Sequence, residues 1–138
     1  MNWIVAGLIA GVVAYLVDWV MWSKVFMKGM DAFVTPMLPE QMKAFMGPAM
    51  VKSAVLSLVF GVLFAYLYGQ FRGSLWVQPG GPLAGMEFAT VLWLPTICLA
   101  TFGSSVWYTK ARALNTATCW AWFARMNAAG IVVGLLMK

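Results

Sequence analysis

Residues 3–22 read WIVAGLIAGVVAYLVDWVMW, an apolar run broken only by Asp18 and closed at each end by tryptophan. About 20 such residues in a helix span the ~30 Å hydrocarbon layer of a bilayer. Trp3 and Trp22 suit the headgroup level on either side. The run has neither a basic leader nor a small-residue cleavage site, so it reads as a retained span rather than a secretory signal. Three further stretches of the same kind follow, at about 49–71, 83–106 and 115–137. The whole chain agrees with them. Of 138 residues, 63% are hydrophobic and 9% charged, against roughly 25% charged in an ordinary soluble domain. A chain this short cannot bury so much apolar surface in its own interior. Disorder is excluded by the same richness in apolar and aromatic residues. The expectation is an all-α integral membrane four-helix bundle, a single transmembrane domain over residues 1–138.

The connections are short except the first. Residues 73–82 (GSLWVQPGGP) are turn-rich, and residues 108–114 form a short basic loop. Asn115 is placed to cap the last helix, and Pro95 to kink the third. Residues 23–48 are not polar. Val25, Phe26, Met30, Phe33 and Val34 alternate with Lys24, Lys28 and Asp31, and Met42, Phe45 and Met46 follow Pro39. That spacing predicts an amphipathic segment lying in the interface. Lys24, Lys28, Lys43, Lys110 and Arg112 share one face, against Arg72 and Lys138 on the other. The positive-inside rule then places 23–48 in the cytoplasm and both termini outside, in a bacterial cytoplasmic membrane. Trp22-Ser23-Lys24 and Trp107-Tyr108-Thr109-Lys110 look like an internal repeat, yet any cytoplasmic helix exit shows that pattern. The net charge of +5 follows from this topology and from anionic lipids, so no nucleic-acid partner is expected.

A charge within the hydrocarbon layer costs at least about 2.5 kcal/mol on insertion scales, so each needs a reason. Asp18 and Arg125 fall at similar depth, roughly 12 and 16 Å from the cytoplasmic ends of their helices. They are expected to form a buried pair joining the first and last spans. A lone acid beside a permanent guanidinium is a poor proton carrier, which favours a structural clamp. Glu87, near the opposite end and without an evident partner, is the better ion-site candidate. Lys52 is shallow enough to snorkel.

Gly7 and Gly11, and Gly130 and Gly134, form two GxxxG pairs at matching depth on antiparallel spans. They are expected to pack helices closely, against each other or against neighbouring subunits. Of the 11 methionines, Met27, Met30, Met37, Met42, Met46 and Met50 gather near the first loop. Thioethers select Cu(I), but without histidine or clustered cysteine they read as flexible packing. Trp3, Trp19, Trp22, Trp76, Trp107, Trp120 and Trp122 read as interface anchors. Trp93 alone is deep, placed to pack on Pro95 or to face a pigment or quinone ring. Cys98 and Cys119 are read as inert buried thiols, since no CxxC pair or activating charge accompanies them. With no histidine in the chain, the commonest general base and metal and haem ligand is missing. No metal site, covalent cofactor or histidine-ligated cofactor is expected, which leaves lipid or pigment contact, with Asn127 the nearest side chain for the latter.

Asn2-Trp3 at the start of the first helix, WSKVFMKGM at 22–30 and RALNTATCWAWFARMNAAGIVVGLLM at 112–137 resemble a family of small bacterial four-span membrane proteins, domain of unknown function 1761. The resemblance covers nearly the whole chain and implies the four-span fold. The family has no established activity, so no function comes with it. The chain departs from the family pattern in having Asp18 in the first helix and no histidine in the last.

With no catalytic constellation, the function expected is that of a non-catalytic accessory subunit of a larger membrane complex, an energy-converting (respiratory or photosynthetic) one. Its partners would be membrane lipids and other integral membrane subunits. Lys24, Lys28, Lys43 and Trp93 are the candidate contacts. The alternative is a small homo-oligomeric transporter or channel using Glu87 or Asp18. A membrane enzyme ranks third, because no two acids are evidently near each other.

Overall fold

The computed structural model describes residues 2–26 and 38–137, which form helices and short connections. Helix α1 covers Trp3–Val20, α2 Pro39–Phe71, α3 Pro82–Trp93, α4 Leu99–Trp107 and α5 Arg112–Leu136. Wider π-helical turns extend α1 through Met21–Val25 and join α3 to α4 through Leu94–Cys98. The described chain is thus all-helical, with four helical rods each long and apolar enough to cross a membrane.

Small residues bring the rods together in pairs. On α1, Ala6, Gly7, Ala10, Gly11 and Ala14 make one buried stripe. A Cβ on Gly61 of α2 would meet the Gly7 carbonyl and the Gly11 amide, and one on Gly7 would lie 2.6 Å from Val62 Cα. The second close seam joins α3 to α5: a Cβ on Gly85 would strike the Gly130 carbonyl, and one on Gly134 the Gly81 carbonyl. The two GxxxG pairs therefore do not mate with each other. Gly7 and Gly11 close on Gly61, while Gly130 and Gly134 close on Gly85 and Gly81, which form a further GxxxG pair (GPLAG, residues 81–85) that the sequence reading did not single out. Where lipid gives no hydrophobic drive, such close backbone approach supplies the packing. The remaining space is filled by rings. Phe64 and Tyr68 of α2 meet Phe88 of α3 at centroid distances of 5.1 and 5.6 Å, and Phe60 meets Trp122 of α5 at 5.6 Å. All three contacts are edge-to-face, the favoured aromatic geometry.

The most buried rod is the least apolar one. Half of the membrane-length window of α5 is buried, against 22–33% for the others, although its hydropathy of 1.4 is the lowest. The reason is its polar cargo. Arg125 and Asn127 are buried there, and such groups need protein partners in place of lipid.

Three boundaries differ from expectation. Helix α2 begins at Pro39, not near residue 49, and its 33 residues reach roughly 50 Å, well beyond the hydrocarbon thickness. Residues 38–48, expected in an interfacial loop, are thus mostly a helical extension of that rod. Residues 27–37 of the expected interfacial segment, with Lys28, lie outside the described residues. Pro39 sits in the first turn, where a missing N–H costs nothing, and Gln41 Oε1 accepts from the Leu38 amide at 3.2 Å, half of a capping box. Pro48 is tolerated mid-helix on an exposed turn. At Pro95 the chain widens into a π turn, and hydroxyls engage neighbouring carbonyls: Thr96 donates to Leu92 O at 2.6 Å and Thr101 to Ile97 O at 2.8 Å. The π turn is the kind of local adjustment by which a membrane helix accommodates an interior proline. Finally, α5 starts at Arg112. Asn115 is not its cap but a tie to α4, donating to Ser104 and Ser105 Oγ at 3.1 Å each.

Candidate functional site

Three rods converge on Arg125. It lies on α5 one turn after Trp122, so both project from the same face. Ser57 and Phe60 stand in the same relation on α2, and Asp18 faces them from the last full turn of α1. Arg125 is 8% exposed. Its Nη2 donates to Ser57 Oγ at 2.9 Å, and its Nη1 lies 3.7 Å from Asp18 Oδ2. The Phe60 and Trp122 rings flank it at 4.8 and 4.4 Å from Cζ to centroid. A planar, weakly hydrated guanidinium is the cation best suited to lie against rings away from water. Asp18 and Arg125 are thus brought together, as their depths implied. Ser57, Phe60 and Trp122 completed the cluster without being read from sequence. Trp122 in particular is a packing partner of the cation, not an interface anchor. Its i−3 spacing from Arg125 was the available signal.

Glu87 does have partners. Its Oε1 and Oε2 accept from the Trp76 and Val77 amides at 2.7 and 2.8 Å, so the carboxylate ties the 73–82 loop to α3. That use of both oxygens corrects its reading as an unpartnered ion-site acid. At the same end, Arg72 Nη1 donates to Met137 O at 2.6 Å, closing α2 onto the end of α5.

Trp93 is not an exposed contact. It is 7% exposed, its Nε1 donates to Cys119 O at 2.9 Å, and its ring meets Phe123 edge-on at 4.9 Å. Asn127 is buried as well; its Nδ2 donates to Phe123 O at 3.0 Å and its Oδ1 accepts from Thr90 at 3.4 Å. Lys24 and Lys43 are exposed. Cys98 and Cys119 are both buried and free.

Beside the Arg125 cluster the rods part. A cleft of about 380 Å³ opens between the end of α1 and the first half of α2, lined by Tyr15, Asp18, Trp19, Trp22, Ser23, Ala49, Met50 and Ser53. The Asp18 side chain reaches it with 22% of its surface exposed. The Ser23 hydroxyl is buried there with no hydrogen-bond partner among the described residues. The first span's acid therefore borders a concavity near the rod ends.

No family model, curated protein or solved structure matches this chain.

Proposed function

We propose that the chain is an integral membrane four-helix bundle acting as a non-catalytic accessory subunit of a larger membrane complex. The observation that carries this reading is the use made of the charges within the spans. Asp18 and Arg125 face each other and Glu87 binds its own loop, so these groups brace the fold, and among the described residues they form no chain of titratable sites from one end to the other. What is offered outward is apolar surface. On α4, Leu99, Phe102, Val106 and Trp107 are exposed, and a rod apolar on its outer face suits enclosure by lipid or by other subunits. The basic residues Lys24, Lys43, Lys110 and Arg112 support a cytoplasmic first loop with both termini outside.

Extraction of the untagged protein from its native membrane in mild detergent tests the proposal. The expected result is a particle much larger than this chain, containing several different subunits. A small particle holding this chain alone would overturn it, and proton or ion flux in liposomes that is lost in Glu87→Gln would establish the transporter reading instead.

A further inference from the structure

The cleft at the end of α1 has a chemistry that the bracing role of Asp18 does not use. On its inner side the Asp18 carboxylate faces Arg125 Nη1, while its outer side borders open volume. Three aromatic side chains, Tyr15, Trp19 and Trp22, line the same space, with the hydroxyls of Ser23 and Ser53. The Ser23 hydroxyl is buried with no partner among the described residues, a condition a folded protein rarely leaves unless another group or water completes it. At about 380 Å³ the space lies at the low end of the ~300–1,000 Å³ typical of small-molecule sites. A carboxylate among aromatic faces recognises a cation, and a cation with N–H or N–alkyl surface in particular, because ring quadrupoles and the negative charge attract it together. An anion would meet Asp18 unfavourably. A hard metal ion would need about six oxygen ligands, and the lining side chains offer one carboxylate with two serine hydroxyls and one phenol.

We propose that this cleft binds an ammonium group, held by Asp18 and the rings of Tyr15, Trp19 and Trp22, with Ser23 accepting from or donating to the bound molecule. Asp18 lies seven residues before the end of the π turn at Val25, roughly 10 Å along the rod. A lipid headgroup amine or a free organic cation entering from the interface reaches that depth. The inference goes beyond the accessory role and does not depend on it.

The test uses the purified full chain in dodecylmaltoside micelles. Native mass spectrometry after adding phosphatidylethanolamine or phosphatidylglycerol reads lipid retention, and tetraethylammonium titration followed by tryptophan fluorescence reads free-cation binding. Preferential retention of phosphatidylethanolamine assigns the site to a lipid amine; saturable tetraethylammonium binding without lipid preference assigns it to a free cation. In either case Trp22→Leu and Asp18→Asn lower binding at least tenfold, and Trp76→Leu, at the far end of the rods, leaves it unchanged. Trp22→Leu decides the matter if Asp18→Asn does not fold. Equal retention of both lipids with no tetraethylammonium binding, or binding indifferent to Trp22→Leu, overturns the proposal.

Discussion

Replacing Arg125 by methionine tests the central cluster most directly, because methionine keeps much of the side-chain volume and removes only the charge and donors. At the observed 3.7 Å, two unit charges in an effective dielectric near 20 attract by roughly 4.5 kcal/mol. Desolvation offsets much of this in the intact pair. Removing one partner is different, since the other charge stays in place unpaired, at about 3–5 kcal/mol. Ser57 also loses the guanidinium that its Oγ accepts from at 2.9 Å, and two ring contacts lose their cation. These losses overlap and do not add. The expected cost of Arg125→Met is therefore about 4 kcal/mol, a roughly thousandfold fall in the folding equilibrium constant. Unfolding by sodium dodecyl sulfate in dodecylmaltoside micelles, followed by circular dichroism, measures it. Asp18→Asn should cost about 3 kcal/mol, and the double variant should cost at least ~2 kcal/mol less than the two singles combined, since neither charge is then left alone. Single variants within about 1 kcal/mol of the parent, or a double variant additive within about 0.5 kcal/mol, would refute the clamp.

The glycine seams give a paired prediction. Gly61→Ala and Gly85→Ala should each destabilise the protein by about 1–3 kcal/mol, because the added methyl meets backbone that cannot yield. Gly103→Ala, with nothing within 4 Å of its Cβ position, should stabilise α4 by up to about 1 kcal/mol; the same unfolding assay separates the two classes. Glu87→Ala should raise amide hydrogen exchange at Trp76 and Val77 roughly tenfold through the lost acceptor, and exchange near Arg125 should not change. Trp93→Phe should cost about 1 kcal/mol, keeping the ring and losing the bond to the Cys119 carbonyl, and the loss of its fluorescence should remove a blue-shifted, buried component of the emission.

Four spans were legible because the bilayer imposes a length and a composition, and residues 3–22 satisfy both without reference to any other part of the chain. The pairing of Asp18 with Arg125 was legible for a related reason: depth follows from helical rise, and few charges compete at that depth. The start of α2 was not legible. Residues 39–48 carry two prolines, Pro39 and Pro48, and mixed polarity, and only their continuation from a packed rod makes helix the better state. Glu87 looked unpartnered because its partners are backbone amides of a loop, which no side-chain pattern reveals.

The sequence by itself determined that the chain is helical and lipid-sized, about where the first, third and fourth spans run, and that Asp18 and Arg125 need partners. Each of these depends on local composition and on the fixed rise of a helix. Only the tertiary structure decided that Gly7 and Gly11 meet Gly61, that Gly130 meets Gly85, that Phe60 and Trp122 enclose Arg125, and that a cleft opens beside Asp18. Those outcomes depend on the rotation of each rod about its own axis. Rods apolar on nearly every side carry little amphipathic signal to set that rotation, so it is set by which small and large side chains fit together at close range.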